Sequence, residues 1–399
     1  MVTIDAIWDA AKVLQGTAER TLLVPAERIN PAASVYLKLE NLQRTGSFKV
    51  RGASYKIATL SPQEKERGVI ACSAGNHAQG VALAARKEGI KAVICMPEGA
   101  PLSKIEATRN LGAQVVLCPG VYDDAYNKAL ELQEQEGYTF VHPFNDPAVI
   151  AGQGTVGLEI LEQLPEVEVV LCAIGGGGLA SGLACALKSL RPGVKVYGVQ
   201  AAGAPSMAAS LEKGEIVQLD RVQTIADGIA VKRPGELTFD LCRQYLDGVV
   251  TVTEGEIASA MLALIENHKI VAEGAGAAPV AAAMYNKVEL AGKKTVCVVS
   301  GGNVDVTVLS RAISKGLVSS GRITELSAVL DDRPRQLQQV IGIVSGEGAN
   351  IISIHHNRNS AQLDVGNCLV DITVETRDNE HARHLVGRLQ QAGYDIRRR

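Results

Sequence analysis

Val69-Ile70-Ala71-Cys72-Ser73-Ala74-Gly75-Asn76-His77-Ala78-Gln79-Gly80 reads as a short strand, a sharp turn and the opening of a helix. The first four residues are a continuous apolar run, as expected of a strand buried on both faces. Ser73, Gly75 and Asn76 suit a turn whose backbone N–H groups face outward. Set at a helix N-terminus, such a turn is an anion site, here sized for a carboxylate. The plainer alternative is a simple N-cap at Ser73. His77 taken by itself reads as structural rather than as a base.

The same unit repeats on both sides. A helix over 76–88 stops at Gly89, then come a strand at 91–95, a helix at 101–111 stopped by Gly112, and a strand at 113–117. A helix at 122–136 ends at Gly137, before the strand Tyr138-Thr139-Phe140-Val141. Glycine at each helix end supplies left-handed C-cap geometry. After 150 the alternation resumes, with a helix at 152–163 and the strand Glu168–Ala173. A glycine run, a helix and the strand Lys195–Val199 follow, and the series ends at Thr295–Val299. Upstream, 5–16 is an amphipathic helix, Pro25 and Asn30-Pro31 make loop, and 35–40 is a strand. Strands alternating with helices predict parallel sheets covered by helices. We expect an α/β protein of two doubly wound lobes, the smaller at about 48–150, with the site in the crevice at the strand C-termini.

Beyond about 320 the pattern changes. A strand at 322–331, a helix at 334–345, a strand at 350–357, a polar turn at 358–366, a strand at 367–376, a helix at 378–391 and a short strand near 394–396 give the order βαββαβ. That is the ferredoxin-like split unit. The expected domains are 1–320 and 321–399.

Composition excludes several classes. A net charge of -3 over 399 residues offers no basic field for nucleic acid or for a membrane surface. No apolar run approaches the ~20 residues that span a bilayer. The start, Met1-Val2-Thr3-Ile4-Asp5, lacks the charge and hydropathy pattern of a signal peptide. The cysteines at 72, 95, 118, 172, 185, 242, 297 and 368 show no metal-finger or CxxC spacing. They are expected to be buried thiols of a reducing, cytoplasmic compartment.

Three more stretches carry chemistry. In Ser47-Phe48-Lys49-Val50-Arg51-Gly52 a lysine sits on the first turn of a helix among apolar and small neighbours. Alone, it reads as a snorkelling surface residue; buried, its pKa would fall and its amine could attack a carbonyl. Gly175-Gly176-Gly177-Gly178-Leu179 lies between a strand and a helix. Four glycines carry a large entropy cost on folding, and wrapping a phosphate gives a reason to keep them. A dinucleotide would want an acid at the end of the next strand, where Gln200 stands, so a phosphate monoester fits better. Val299-Ser300-Gly301-Gly302-Asn303 ends the last strand of the second lobe with a hydroxyl. An amine, a phosphate cradle, a carboxylate cradle and a hydroxyl facing one crevice together describe pyridoxal 5'-phosphate and an amino acid.

Ser-Phe-Lys-x-Arg-Gly, Ser-Ala-Gly-Asn-His, Gly-Gly-Gly-Gly-Leu and Ser-Gly-Gly-Asn, in this order, resemble the threonine dehydratases (threonine ammonia-lyases) of the tryptophan-synthase-β-like fold, fold type II. The resemblance runs from about residue 4 to 318, and the C-terminal unit is similar to an ACT regulatory domain. It implies that Lys49 forms the Schiff base with the cofactor and takes the substrate's α-proton. It implies a cofactor site of Phe48, Lys49, Asn76, Gly175, Gly176, Gly177, Gly178, Leu179 and Ser300. Asn76 would meet the ring hydroxyl and Ser300 the ring nitrogen. Ser73, Ala74, Gly75, Asn76 and His77 would hold the substrate. A serine hydroxyl cannot protonate the ring nitrogen, which favours fast β-elimination over racemisation or transamination.

The implied reaction takes L-threonine to 2-oxobutanoate and ammonia, in isoleucine synthesis or in threonine breakdown. L-serine would give pyruvate, since one methyl group discriminates by only ~1–3 kcal/mol. Serine dehydratase and serine racemase of the same fold are the alternatives. Ala74 stands where related racemases carry an acid/base serine, and Gln200 near where they carry a carboxylate for a divalent metal; no metal site is expected there, which leaves room for a monovalent cation. The ACT-like unit implies an amino-acid effector near Gly348, Asn350 and Ile351, and the family a homotetramer or homodimer.

Overall fold

The computed structural model describes residues 2–359 and 363–398, so the polar turn expected at 358–366 lies partly outside the described residues. The chain divides into two compact units, Met1–Leu309 and Ser310–Arg399. The division falls inside the helix Val306–Ser319, upstream of the change in sequence character near 320.

The first unit holds two sheets. The smaller has four parallel strands in the order Gln114–Cys118, Ala92–Pro97, Val69–Cys72, Thr139–Phe140. The larger has six, in the order Leu23–Pro25, Ser34–Leu39, Lys294–Val299, Val169–Ala173, Lys195–Ala201, Gly248–Val252, parallel except at Leu23–Pro25. Every residue of Val169–Ala173 is buried, which is why that strand is apolar without alternation. The fold is therefore the doubly wound α/β pair expected.

Ser34–Leu39 lies beside Lys294–Val299, residue for residue from Ser34 opposite Lys294 to Leu39 opposite Val299. The segments that leave these strands therefore emerge together. Ser47 bridges to Gly301, and the Phe48 N–H donates to Ser300 O at 3.1 Å.

The helix Lys49–Ala58 then packs on Pro147–Gln163 at backbone distance. A Cβ on Gly52 would lie 2.6 Å from Val149 O, and one on Gly152 would lie 2.7 Å from Gly52 Cα. Only glycine at both positions permits this approach. The second helix begins at Pro147 rather than at 152. Asp146 caps it, accepting from Ala148 N at 2.8 Å and Val149 N at 3.1 Å, with proline at the first helical position.

The second unit is a four-stranded antiparallel sheet ordered Asn350–Asn357, Asn367–Glu375, Ile323–Asp331, Ile396–Arg398, with helices Gln336–Gly346 and Asn379–Gln391. Its element order is the βαββαβ expected. Leu326, Ala328 and Leu330 alternate inward and meet Val370, Ile372, Val374, Leu385 and Leu389 in one core. The last strand starts at Ile396, because Gly393, with φ +91°, ends the preceding helix in left-handed geometry. Gly348 also has positive φ (+77°) after its helix, and Asn350 Nδ2 donates to Glu375 Oε2 at 3.0 Å.

Candidate active site

Lys49 is the first residue of its helix, as expected, and Nζ donates to Pro143 O at 2.7 Å. Burial lowers its pKa to about 8, against an opposing pull from the Glu273 carboxylate. Near neutrality this amine is far easier to deprotonate than an exposed lysine, as a nucleophile or base requires.

Asn76 opens the helix Asn76–Glu88. Its Nδ2 donates to Glu273 Oε1 at 2.8 Å, and its Oδ1 accepts from Asn303 Nδ2, also at 2.8 Å. Asn303 Nδ2 donates in addition to Thr45 O at 2.6 Å. Asn76 is thus held from both ends of its amide, in one rotamer and one O/N assignment. Glu273 is buried, and its pKa is pushed up to about 7 by that burial and then by Asp227. Asp227 itself pairs with Lys104 of the smaller lobe at 2.7 Å. A Cβ on Gly301 would come 2.5 Å from Glu273 Oε1 and 3.2 Å from Asn76 Nδ2, so the strand-end glycine, the acid and the asparagine are in direct contact.

Glu273 and Asn303 were not assigned roles by sequence reasoning. Glu273 is a lone acid in the small-residue run Ala272-Glu273-Gly274-Ala275-Gly276, and that isolation is the signal that could have found it. The segment His142-Pro143-Phe144 was missed too. It lies between the lysine and the glycine run: Pro143 takes the Lys49 amine, and Phe144 packs on the glycines.

The glycine run leaves the strand Val169–Ala173 and enters the helix Gly178–Leu190, with Gly177 at φ +99°. Added Cβ atoms at Gly176 and Gly178 would sit 2.4 Å from the Phe144 ring and 2.9 Å from Phe144 Cα. Thr238 Oγ1 donates to Gly176 O at 2.6 Å, tying the turn from behind. No side chain caps the helix, so the N–H groups of its first turn are left for a ligand. Leu179, in that turn, is buried in the core beneath it.

The Ser73–Asn76 turn is built likewise. Gly75 N donates to Ser73 Oγ at 3.2 Å, no side chain caps the helix, and Gly75 faces open space. Ser73, Ala74, Gly75 and Asn76 are all partly exposed. His77 is buried with its Nε2 2.8 Å from Val141 O, and burial lowers its pKa to about 3. It is a neutral ring committed to the neighbouring strand, so what it lends the turn is its backbone. His142 is also held neutral, lowered to about 4 chiefly by burial, and its Nδ1 accepts from Asn145 N at 2.8 Å.

Ser300 is buried at the strand end, with its carbonyl held by Phe48 N. Close to it in the chain pairing, the Ser47 hydroxyl is buried without a partner. Gln200 is fully used by the backbone: Nε2 donates to Ile174 O and Ala204 O at 3.2 and 3.3 Å, and Oε1 accepts from Ala208 N at 2.8 Å. It is a structural clamp at that strand end.

Residues 14–302 match the family model described as pyridoxal-phosphate dependent enzyme. The chain belongs to this family. It is 52% identical over 399 residues to an L-threonine ammonia-lyase of Thermotoga maritima, covering 100% of this chain and 99% of that protein. It is 46% identical to the L-threonine dehydratase catabolic TdcB of Escherichia coli strain K12, over 78% of this chain and 95% of that one. Among solved structures it is similar to the processed form of threonine deaminase isoform 2 from Solanum lycopersicum (38% identity, TM-score 0.75, covering 79% of this chain and 88% of that one). It is also similar to maize serine racemase (35% identity, TM-score 0.75, covering 80% and 98%).

The residues of this pyridoxal-phosphate dependent enzyme fit its cofactor. A glycine cradle that any Cβ would fill lies at an uncapped helix N-terminus, which suits a phosphate. A lysine of lowered pKa suits the aldehyde.

Proposed function

We propose that this enzyme is a threonine ammonia-lyase, converting L-threonine to 2-oxobutanoate and ammonia and acting also on L-serine to give pyruvate. The observation that carries the reading is Lys49, a buried amine lowered to about 8 and held on Pro143, whose neighbour Phe144 packs on the glycine cradle. The whole-length similarity to an L-threonine ammonia-lyase supports the choice of substrate. When bound, pyridoxal phosphate supplies an aldehyde for amines and an electron-withdrawing ring that acidifies the substrate's α-carbon.

The protein's own groups do the rest. Gly175, Gly176, Gly177, Gly178 and Leu179 hold the phosphate by backbone N–H groups. Phe48 and Asn76 position the ring, and Ser300 meets its nitrogen as a neutral partner. Ser73, Ala74, Gly75, Asn76 and His77 bind the substrate carboxylate at the second helix N-terminus. Lys49 Nζ carries the α-proton. Ala74 has no proton to deliver to the opposite face, which favours the lyase over a racemase.

We read residues 321–399 as an ACT regulatory domain, with an amino-acid effector bound near Gly348, Asn350 and Ile351, in a cytoplasmic homotetramer or homodimer. Among the described residues no helix is long and apolar enough to cross a membrane.

The test is product release. Purified enzyme supplied with L-threonine should yield 2-oxobutanoate, and borohydride reduction followed by peptide mapping should place the cofactor on Lys49. Racemised threonine without 2-oxobutanoate, or label on another lysine, would overturn the reading.

A further inference from the structure

The second unit carries a side-chain cluster unrelated to threonine chemistry. The ligating atoms of Asp332, His356 and Cys368 all lie within 4.8 Å of one another. They come from three different strands or strand ends, and the sheet register brings them together. Leu330 pairs with Cys368, and His356 pairs with Val370. Residues directly opposite each other share a face, as do residues two apart on one strand. Cys368 therefore points to the same face as Val370, which is the face of Leu330 and His356. Asp332, two beyond Leu330, continues that line past the strand end. Three ligand types thus converge at one corner of the helix-covered face.

We infer that this corner is a binding site for a divalent transition metal, zinc by its chemistry. An imidazole, a thiolate and a carboxylate are the nitrogen, sulfur and oxygen donors zinc takes, and three protein ligands leave a fourth position for water. Tetrahedral zinc with bonds of about 2.0–2.3 Å needs ligand atoms roughly 3.3–3.8 Å apart, within reach of side-chain rotation from the separation present. The charges balance, since one thiolate and one carboxylate neutralise the dication.

The site is partly prepared. Cys368 is held in the sheet with Sγ donating to Leu330 O at 3.5 Å, and the Asp332 backbone N–H is anchored on Gly366 O at 2.7 Å. The Asp332 carboxylate is held by Arg358 Nε at 2.8 Å, a cation that the metal would replace. On binding, the Cys368 thiol releases its proton to solvent as the zinc–sulfur bond forms; nothing is oxidised or reduced. The ion then clips together three strands at that corner, in place of the Arg358–Asp332 ion pair.

The test uses the full-length holoenzyme, dialysed against chelator and titrated with Co²⁺ as a spectroscopic probe and then with Zn²⁺. One equivalent of Co²⁺ should bind with a thiolate-to-cobalt charge-transfer band, and Zn²⁺ should bleach it. Cys368→Ser should abolish the band. His356 is exposed, so His356→Ala should leave threonine turnover unchanged while weakening metal binding by about tenfold or more. At a fixed concentration, Zn²⁺ should raise the melting temperature of the parent by more than that of His356→Ala. Absence of the band, its persistence in Cys368→Ser, or equal affinity in His356→Ala would each overturn the inference.

Discussion

At the level of single side chains, burial holds two groups of the site in unusual protonation states, and their mutual attraction only partly offsets it. Lys49 at about 8 predicts that apoenzyme combines with added cofactor faster as pH rises, levelling off above about 8. Stopped-flow absorbance between pH 6 and 9 checks this, and a flat profile would contradict it. Glu273 is the counterpart. Its pKa is raised from 4.5 to about 7 in the folded chain, so the native state keeps a proton the unfolded state has lost. Stability from this group is therefore full below pH 4.5 and falls as pH rises to about 7, by roughly 3 kcal/mol at most. Glu273→Gln should flatten that part of the stability–pH curve in urea denaturation. Glu273→Ala leaves the Asn76 amide without its acceptor and should lower kcat by about 10–100-fold.

Lys49 was legible because its neighbours formed a motif. Glu273 and Asn303 were not, since their meaning lies in bonds to residues far along the chain: Asn76 is 197 positions from the first and 227 from the second.

Among elements, the helix Lys49–Ala58 is fixed by close packing and by a buried ion network. Arg51 pairs with Glu40 at 2.7 Å and Glu159 at 2.6 Å, and Lys38 pairs with Glu159 at 2.5 Å. Two strand-end residues and two helices are therefore joined under the lysine. Arg51→Ala would leave Glu40 buried and unpaired, a loss expected at about 3–5 kcal/mol and seen as a lowered denaturation midpoint. Gly52→Ala would drive a methyl against Val149 O and should cost about 1–3 kcal/mol while displacing Lys49. Reduced turnover per mole of bound cofactor would distinguish displacement from simple instability.

Element identity was readable from alternation and glycine stops, because those signals are local. The start of Pro147–Gln163 was misplaced because its first turns, from Val149 to Gly154, are buried all round and carry no amphipathic period to mark a helix. The Lys38–Glu159–Arg51 network left no periodic trace.

For the molecule as a whole, the two units predict separable roles. Removing residues 320–399 should leave 2-oxobutanoate formation and abolish any response to amino-acid effectors. Steady-state assays of the truncated and full chains across candidate amino acids check it; an unchanged response after truncation would refute the regulatory reading. The architecture was legible from the change of pattern near 320, whereas the strand order was not. Nothing local in Ser34–Leu39 announces a partner at Lys294–Val299.

That pairing constrains how the protein is born. The strand Ser34–Leu39 has Leu23–Pro25 on one edge but must wait on the ribosome for roughly 260 more residues before the neighbour on its other edge exists. At ~5–20 residues per second the delay is about 13–50 s. Throughout it an apolar edge lies open, and Lys49 has been synthesised without the Ser300 turn beside it. A nascent chain stalled before residue 294 should therefore be a chaperone client that cannot retain its vitamin.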